Sequence, residues 1–217
     1  MIIVSVRAGT GEDLRRAELP DGSLFSFRLG CLSDGLASCL ERFDELAGSG
    51  GLELDEAEAA EMAFARACLA AEKAGLRLVA RAEQNACGLN LKLKKRGHER
   101  LCAAAAVARL CADGLVDDRR YARLWLASRI AGRASSPREL LGSLRSRGIG
   151  RDDAAAAFDE VLDADAECLL LERFLVRHRR RYGDPASLPA EGLRTLRYRL
   201  RGEGFSAGAV ERVFGGG

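Results

Sequence analysis

Basic side chains carry the clearest chemical signal in this sequence, and they recur at helical spacing from residue 71 onward. Two predicted helices near the C-terminus each hold arginines three or four residues apart, so one side of each helix is cationic. Guanidinium and ammonium groups bind the oxygens of phosphates and carboxylates through charge-assisted hydrogen bonds. This pattern predicts a surface that binds an anionic partner, either the acidic face of a protein or the backbone of a nucleic acid. The candidate binding residues are Lys92, Lys94, Lys95, Arg96, Arg129, Arg145, Arg147, Arg173, Arg177, Arg180, Arg181, Arg194, Arg197 and Arg201.

The distribution of charge along the chain supports this prediction. Residues 1–70 hold 6 Lys and Arg against 13 Asp and Glu, whereas residues 71–217 hold 28 against 19, although the net charge is only +2. Such an asymmetry indicates an anionic partner for the second part of the chain. The acidic residues that cluster near Glu56 have a simpler interpretation, because carboxylates stabilise the positive end of a helix dipole.

Two residues of the basic region admit two interpretations each. Arg129 either contacts a partner or pairs with Asp117 or Asp118 across a junction between predicted repeats. Trp125 lies on the apolar side of its predicted helix, which favours a place in the core over stacking on nucleobases.

Residue types that catalyse reactions are poorly placed in this sequence. Asp117 and Asp118 are adjacent at a predicted helix start, so their side chains diverge and suit shared acid–base chemistry poorly. Gly9-Thr10-Gly11 lacks the lysine of a phosphate-binding loop. The seven cysteines include no Cys-x-x-Cys pair, and only His98 and His178 could join them as metal ligands. We therefore expect a protein that is not an enzyme, with no catalytic residues, no cofactor and no bound metal.

A repeated helical unit must position the basic side chains. The pattern Leu-x-x-x-Leu-x-x-x-Gly, followed by a larger side chain, occurs three times, with glycines 51 and 56 residues apart. A period of about fifty residues is typical of repeat proteins, in which each unit buries its apolar face on its neighbours. The positions that define the repeats are Leu89, Leu93 and Gly97, then Leu140, Leu144 and Gly148, and finally Leu196, Leu200 and Gly204.

Local signals predict three short helices in the middle repeat. The first should begin at one of two aspartates, which can cap free N–H groups, and should present one apolar face. The residues expected to define this helix are Asp117, Asp118, Tyr121, Ala122 and Trp125. The second helix should start with Ser136 as its N-cap, Pro137 at its first position and Glu139 completing a capping box. Gly148 fits the left-handed position that ends a helix.

The last repeat follows the same plan. Its first helix should place one continuous row of residues inward, namely Leu171, Phe174, Leu175, His178 and Tyr182. Ser206 should cap the final helix, and the tail at 215–217 should be frayed.

The N-terminal residues predict a small β-structure. Ile2, Val4 and Val6 alternate with smaller or polar residues, and Pro20-Asp21-Gly22-Ser23 separates two further alternating segments. Because Pro and Gly supply the backbone angles of a hairpin turn, we expect a three-stranded antiparallel sheet within residues 2–29. Such a small sheet should pack against a helix.

The fold class predicted from these signals is mainly α: three tandem three-helix repeats in a curved, elongated array, preceded by a small antiparallel β segment. Between the sheet and the repeats we expect a short helix around Gly35–Ala47, a break at residues 48–51, and a longer helix near Glu56–Leu69. The predicted segments are 1–30 (β), 31–56 (acidic helical linker), 57–113, 114–163 and 164–217 (repeats).

Bulk composition agrees with a water-soluble helical protein. The apolar fraction of 47% is enough for a core, and no run reaches the roughly 20 apolar residues that span a bilayer. The first residues have neither a basic leader nor a small-residue cleavage site, so we expect a cytoplasmic protein.

Residues from about 76 to 214 resemble the RecX family, bacterial regulators of the RecA recombinase. The resemblance rests on three motifs. They are Leu78-Val-Ala-Arg-Ala-Glu-Gln ahead of Leu89, the stretch Gly114-Leu-Val-Asp-Asp-Arg-Arg-Tyr-Ala-Arg with the later Arg129, and Leu144-x-x-x-Gly148-Ile149.

The resemblance implies a function as well as a fold. Members of this family typically lie in the groove of the RecA–DNA filament, where they inhibit strand exchange and ATP hydrolysis, and no catalytic residue is implied. The expected partner is therefore the RecA filament, with single- or double-stranded DNA as a further partner, and a monomer is expected for a protein that binds in a groove. The alternative is a nucleic-acid-binding helical repeat protein that acts without a recombinase.

Overall fold

The computed structural model describes residues 1–11, 13–43 and 51–215. The chain divides into two compact units, Met1–Val116 and Asp117–Gly217. The fold class predicted from the sequence is confirmed, since helices dominate both units and the strands lie in the first unit. The division into five segments stays a prediction, because the first unit joins the β segment to the first repeat, and the second unit joins the other two repeats.

The predicted three-stranded sheet is present at the start of the first unit. Its strands are β2 (Ser5–Ala8), β3 (Leu14–Glu18) and β4 (Leu24–Arg28), after a short β1 (Ile2–Ile3). β3 lies between β2 and β4, and both neighbours are antiparallel to it. Gly22 has φ +79° in the turn between β3 and β4, which explains the glycine there.

One strand pairing was missed from the sequence. The prediction put Ile2 in the three-stranded sheet, but β1 pairs with β5 (Leu52–Glu53) in a separate two-stranded ladder. The partner lies about fifty residues away in the chain, so no local pattern around Ile2 could reveal it.

Within its described residues, the first unit also contains α-helices. They are α1 (Asp34–Glu41), α2 (Glu56–Val79), α3 (Ala86–Lys95) and α4 (Arg100–Ala112). The end of the helix predicted at Gly35–Ala47, and most of the break predicted after it, lie outside the described residues. The helix predicted near Glu56–Leu69 is longer than expected and runs without a break for 24 residues. Asp55 and Glu58 form a capping box at its start, so two of the clustered acidic residues cap this helix.

The sheet packs on α2, as a small sheet requires. Phe27 and Ala17 of the sheet share a fully buried cluster with Met62 and Ala65 of α2. A second cluster joins α2, α3 and α4 through Leu78, Leu89, Leu93, Ala103 and Leu110.

The second unit consists of helices that follow the predicted order. They are α5 (Asp118–Gly132), α6 (Pro137–Arg145), α7 (Arg151–Val161), α8 (Ala164–Arg177), α9 (Arg179–Tyr182), α10 (Ala190–Gly202) and α11 (Ala207–Gly215). The predicted caps are confirmed: Asp117 accepts from Arg120 N at 2.9 Å, and the Ser206 hydroxyl accepts from Ala209 N at 3.1 Å.

The second helix of the middle repeat begins as predicted, with Pro137 at its first position. The Ser136 hydroxyl accepts from Glu139 N at 3.3 Å, which is one half of the predicted capping box. The same hydroxyl donates to Glu203 Oε2 at 3.0 Å, so the serine also connects two repeats.

The helix predicted to carry both His178 and Tyr182 is interrupted, which corrects the sequence analysis. His178 leaves the helical conformation, with φ −101° and ψ 21°, and separates α8 from α9. At this break the His178 ring lies 4.4 Å from the Phe174 ring, and the Tyr182 hydroxyl donates to Glu203 at 3.2 Å. The helical spacing assigned His178 and Tyr182 to one helix. Instead, His178 is positioned by aromatic packing, and Tyr182 is positioned by a carboxylate that is distant in the sequence.

The three repeated motifs share one geometry. Gly97, Gly148 and Gly204 have φ of +87°, +81° and +94°, a region that L side chains rarely occupy. In each motif the residue after the glycine donates its N–H to the carbonyl of the second leucine, at 3.2 to 3.3 Å. The six leucines of the motifs are all buried. The motif therefore ends the second helix of each repeat and anchors it in the core.

Among the described residues, each helix is too short or too polar to cross a lipid bilayer. The last two residues of the tail that was predicted to be frayed lie outside the described part of the chain.

Candidate partner-binding surface

All 19 basic residues between positions 117 and 217 are arginines, whereas the four lysines of the chain lie between positions 73 and 95. A planar guanidinium binds phosphate or carboxylate in a bidentate manner and stacks flat on aromatic rings, whereas an ammonium acts as a compact point charge. The contacts of these arginines separate those that hold the second unit together from those that face solvent.

Two of the candidate binding residues donate hydrogen bonds to backbone carbonyls of a different helix. Arg173 donates to Ile130 O at 2.8 Å and to Ala131 O at 3.0 Å. These carbonyls lie in the last turn of α5, where acceptors are free and the helix dipole is negative. Arg197 donates to Phe214 O at 3.2 Å. Both guanidinium groups are therefore engaged in stabilising the unit, which sequence spacing alone did not indicate.

Trp125 organises two further candidates. The guanidinium carbon of Arg147 lies 4.6 Å from the centroid of the indole ring, and that of Arg129 lies 5.3 Å from it. Arg147 also donates to Ser143 O at 2.8 Å. Because Trp is the strongest cation–π acceptor among side chains, this arrangement, named here the Trp125 stack, holds two cations close together.

The Trp125 stack involves both residues for which the sequence allowed two interpretations. Trp125 is half-buried and packs against the core of the second unit, in agreement with the favoured interpretation. Arg129, which was expected either to pair with an aspartate or to contact a partner, lies over the indole ring.

The run Arg179–Arg181 contains both paired and unpaired side chains. Arg179 pairs with Asp184, and Arg181 lies 3.9 Å from a carboxylate oxygen of Glu203. Arg177 and Arg180 are exposed and form no ion pair with any residue in the described ranges. The same is true of three other candidates, Arg145, Arg194 and Arg201.

Two shallow clefts border this surface, and both are lined by Arg133. The first has a volume of about 430 Å³ and also involves Arg177, His178 and three serines. The second has a volume of about 390 Å³ and includes Trp125 and Arg129. Sequence reasoning missed Arg133 because it follows α5 and belongs to no helical row of arginines. Arg133 lies four residues after Arg129, and this spacing was the sequence feature from which it could have been identified.

Glu203 holds the two repeats of this unit together. Its carboxylate accepts from Ser136 Oγ at 3.0 Å and from Tyr182 Oη at 3.2 Å, and its carbonyl accepts from Arg138 N at 3.0 Å. Burial raises the pKa of the Tyr182 hydroxyl, and the charge of Glu203 raises it further. The arginines of α6 and α9 are thus positioned by one buried connection.

The first unit presents a smaller basic surface. Lys92 donates to Gln84 Oε1 at 2.6 Å, while Lys94, Lys95 and Arg96 are exposed around the end of α3. Cations at this end of a helix also compensate its dipole. Three of the four basic candidates here therefore remain accessible to a partner.

Charged groups of the first unit form a network of ion pairs. Arg28 makes two hydrogen bonds of 2.6 Å to Glu72 and one of 2.5 Å to Asp13, which also accepts from Arg109 at 3.1 Å. The hydrogen bonds to Glu72 raise the pKa of Arg28. This network fixes the sheet to α2 and α4.

Three thiols lie beside this network. Burial raises the pKa of the Cys31 and Cys68 thiols, and a hydrogen bond with Cys102 raises that of Cys68 further, so both are protonated at neutral pH. No group of His, Cys, Asp or Glu within the described ranges has the arrangement to hold a metal ion.

Comparison with known proteins identifies similar sequences. A family model described as "RecX, second three-helix domain" matches residues 117–157. A regulatory protein RecX of Treponema pallidum (strain Nichols) is 36% identical over 149 residues, which cover 69% of this chain and 86% of the relative. A regulatory protein RecX of Halorhodospira halophila is 35% identical over 143 residues, which cover 65% of this chain and 84% of the relative.

Solved structures show the same fold. A crystal structure of regulatory protein RecX matches with a TM-score of 0.64 and 20% identity, covering 99% of this chain and 98% of that one. The crystal structure of RecX from Lactobacillus salivarius matches with a TM-score of 0.52 and 15% identity, covering 69% of this chain and 95% of that one.

Proposed function

Because this chain belongs to the RecX family of regulatory proteins, we propose that it regulates the RecA recombinase. In this proposal it binds in the groove of the RecA–DNA filament and inhibits the recombinase, ATPase and coprotease activities of RecA during DNA repair. It acts in the cytoplasm as a monomer and has no catalytic activity of its own. The observation that carries the proposal is the similarity to regulatory RecX proteins over 86% of the length of one relative.

The solvent-facing arginines support this proposal. Arg177 lines a cleft together with Arg133, Arg180 is exposed three residues later, and Trp125 and Arg129 line the neighbouring cleft. Exposed guanidinium groups suit the carboxylates of an acidic protein face as well as the phosphates of DNA. A groove between protein subunits and DNA would offer both kinds of oxygen.

A second candidate function is nucleic-acid binding without a recombinase. It is favoured by α10, where Arg194 and Arg201 flank an exposed tyrosine. A steep dependence of DNA affinity on salt, in the absence of RecA, would characterise this function.

The test is RecA-catalysed ATP hydrolysis on single-stranded DNA, with the full-length protein added at substoichiometric ratios. The informative variant is Arg177→Glu/Arg180→Glu. Arg181 is left unchanged, because a glutamate there would face Glu203 and destabilise the unit. We expect the wild type to inhibit hydrolysis and this variant to lose the inhibition while remaining folded.

A matched control reverses the same number of charges elsewhere. Arg100 and Arg151 are exposed, and each occupies the first position of a helix, where a glutamate is favoured by the dipole. Arg100→Glu/Arg151→Glu should still inhibit RecA. If the wild type affects RecA at no ratio, and its salt-sensitive DNA binding is intact, the second function replaces the first.

A further inference from the structure

Tyr198 has the most exposed large apolar side chain in the described part of the chain, at 80% of its full accessible area. It lies on the outward side of α10, while Leu196 and Leu200 of the same helix are buried in the core. Its ring is therefore not needed for packing within the second unit.

Arginines flank the ring along the helix. Arg194 is four residues before Tyr198 and Arg201 is three residues after it, so all three side chains share one face of α10. Both arginines are exposed and have no carboxylate partner among the described residues. Arg197, the adjacent residue, is held by Phe214 O. The acidic residue of α10, Glu191, lies three residues before Arg194 on the same side of the helix and forms no ion pair with it.

This combination fits one class of partner better than others. Protein–protein interfaces are also enriched in Tyr and Arg, but their centre is a contiguous patch of several apolar side chains. On α10 a single aromatic ring stands between two cations. Proteins bind single-stranded nucleic acids with the same combination, because bases stack on aromatic rings and phosphates bind to basic groups.

We infer that Tyr198 is a stacking site for one base of a single-stranded nucleic acid, with the adjacent phosphates bound by Arg194 and Arg201. The inference rests on the proposed function, because a single DNA strand exposed in the RecA–DNA filament would supply the base. In a duplex the bases are stacked on each other, so this site should select single strands.

The test measures binding of a labelled oligo-dT by fluorescence anisotropy, with the full-length protein and no RecA present. Tyr198→Ala should weaken binding by about 5- to 150-fold, the range measured for loss of one base–aromatic contact. Tyr198→Phe keeps the ring and should bind as the wild type does. Leu169→Ala removes another exposed apolar side chain of the same unit and should leave the affinity unchanged.

The salt dependence separates stacking from charge. Arg194→Ala and Arg201→Ala should each lower the slope of log affinity against log salt by about 0.7, the value for one phosphate contact on a single strand. Tyr198→Ala should lower the affinity without changing this slope. The variant Tyr198→Trp adds a second tryptophan to Trp125. The fluorescence of the added tryptophan should be quenched by oligo-dT, because a base stacks on its indole.

Parallel titrations with oligo-rU and with duplex DNA identify the strand. A loss of affinity in Tyr198→Ala for either single strand supports the stacking site and shows which strand uses it. Unchanged affinity for both single strands, an equal loss for the duplex, or a loss in Tyr198→Phe as large as that in Tyr198→Ala would each overturn the inference. Because RecA is absent, these results do not depend on whether the protein inhibits the recombinase.

Discussion

Replacement of Gly204 by alanine should destabilise the second unit by about 2–5 kcal/mol. Gly204 has φ +94°, and an L residue in left-handed backbone costs about 1–2 kcal/mol. A Cβ atom at this position would also lie 3.1 Å from Pro137 Cβ and 3.2 Å from Arg138 N. Backbone atoms cannot move aside cheaply, so overpacking adds about 1–3 kcal/mol.

The neighbouring Gly202 provides a matched control. It is the last residue of α10, and a Cβ there would meet no atom within 4 Å. Gly202→Ala should therefore stabilise the unit by about 0.4–1 kcal/mol, because alanine loses less chain entropy on folding. The same substitution, two residues apart, should act in opposite directions.

Urea denaturation followed by the fluorescence of Trp125, the one tryptophan of the chain, reports on this unit. In a thermal melt each kcal/mol corresponds to about 4–8 °C in Tm for a unit of this size. If Gly204→Ala loses only about 1–2 kcal/mol, the cost of its backbone conformation alone, the close packing of the third repeat on the start of α6 is refuted. The outcome matters for function because this junction positions the arginines of α6 and α9.

Three further predictions concern groups that the structure pairs. Glu72→Ala should destabilise the first unit by about 3 kcal/mol, because it removes the bidentate partner of Arg28. Thermal denaturation followed by circular dichroism measures this loss, and a loss below about 1 kcal/mol would contradict a structural role for the pair. Arg173→Ala should lower the stability of the second unit by about 1 kcal/mol in the fluorescence assay, because it uncaps α5. Arg180→Ala should cause no measurable change. Equal effects would contradict the assignment of Arg173 to a cap and of Arg180 to the solvent-facing surface. Burial raises the pKa of Tyr182, so its contribution to stability is complete below about pH 10 and is lost as the pH rises through the higher folded value. Tyr182→Phe should therefore lose stability less steeply than the wild type above pH 10, and parallel urea midpoints against pH would contradict this assignment.

Much of the fold could be predicted because its signals are local. Asp117, Ser136 and Ser206 cap helices as their side chains suggested, since capping depends on backbone groups two or three residues away. Gly148 ends α6 because only glycine occupies left-handed backbone without strain.

The misses share a different physical origin. The pairing of Ile2 with Glu53, and the connection from Tyr182 to Glu203 at the break in the helix, both join residues far apart in sequence. Partners of this kind become neighbours only after the core has formed, so periodicity around Ile2 or Tyr182 contains no record of them.

The sequence by itself determined the helical repeats, the family and the positions of the arginines in the chain. Hydrophobic spacing, caps and motif residues act over one or two turns of chain, so the sequence alone contains them. Tertiary structure alone decided what each arginine does. Arg173 and Arg177 lie one turn apart on α8 and are equivalent in the sequence, yet Arg173 caps α5 while Arg177 faces solvent. The reason is geometric: the fold brings two backbone carbonyls within reach of Arg173 and no carboxylate of the described residues within reach of Arg177.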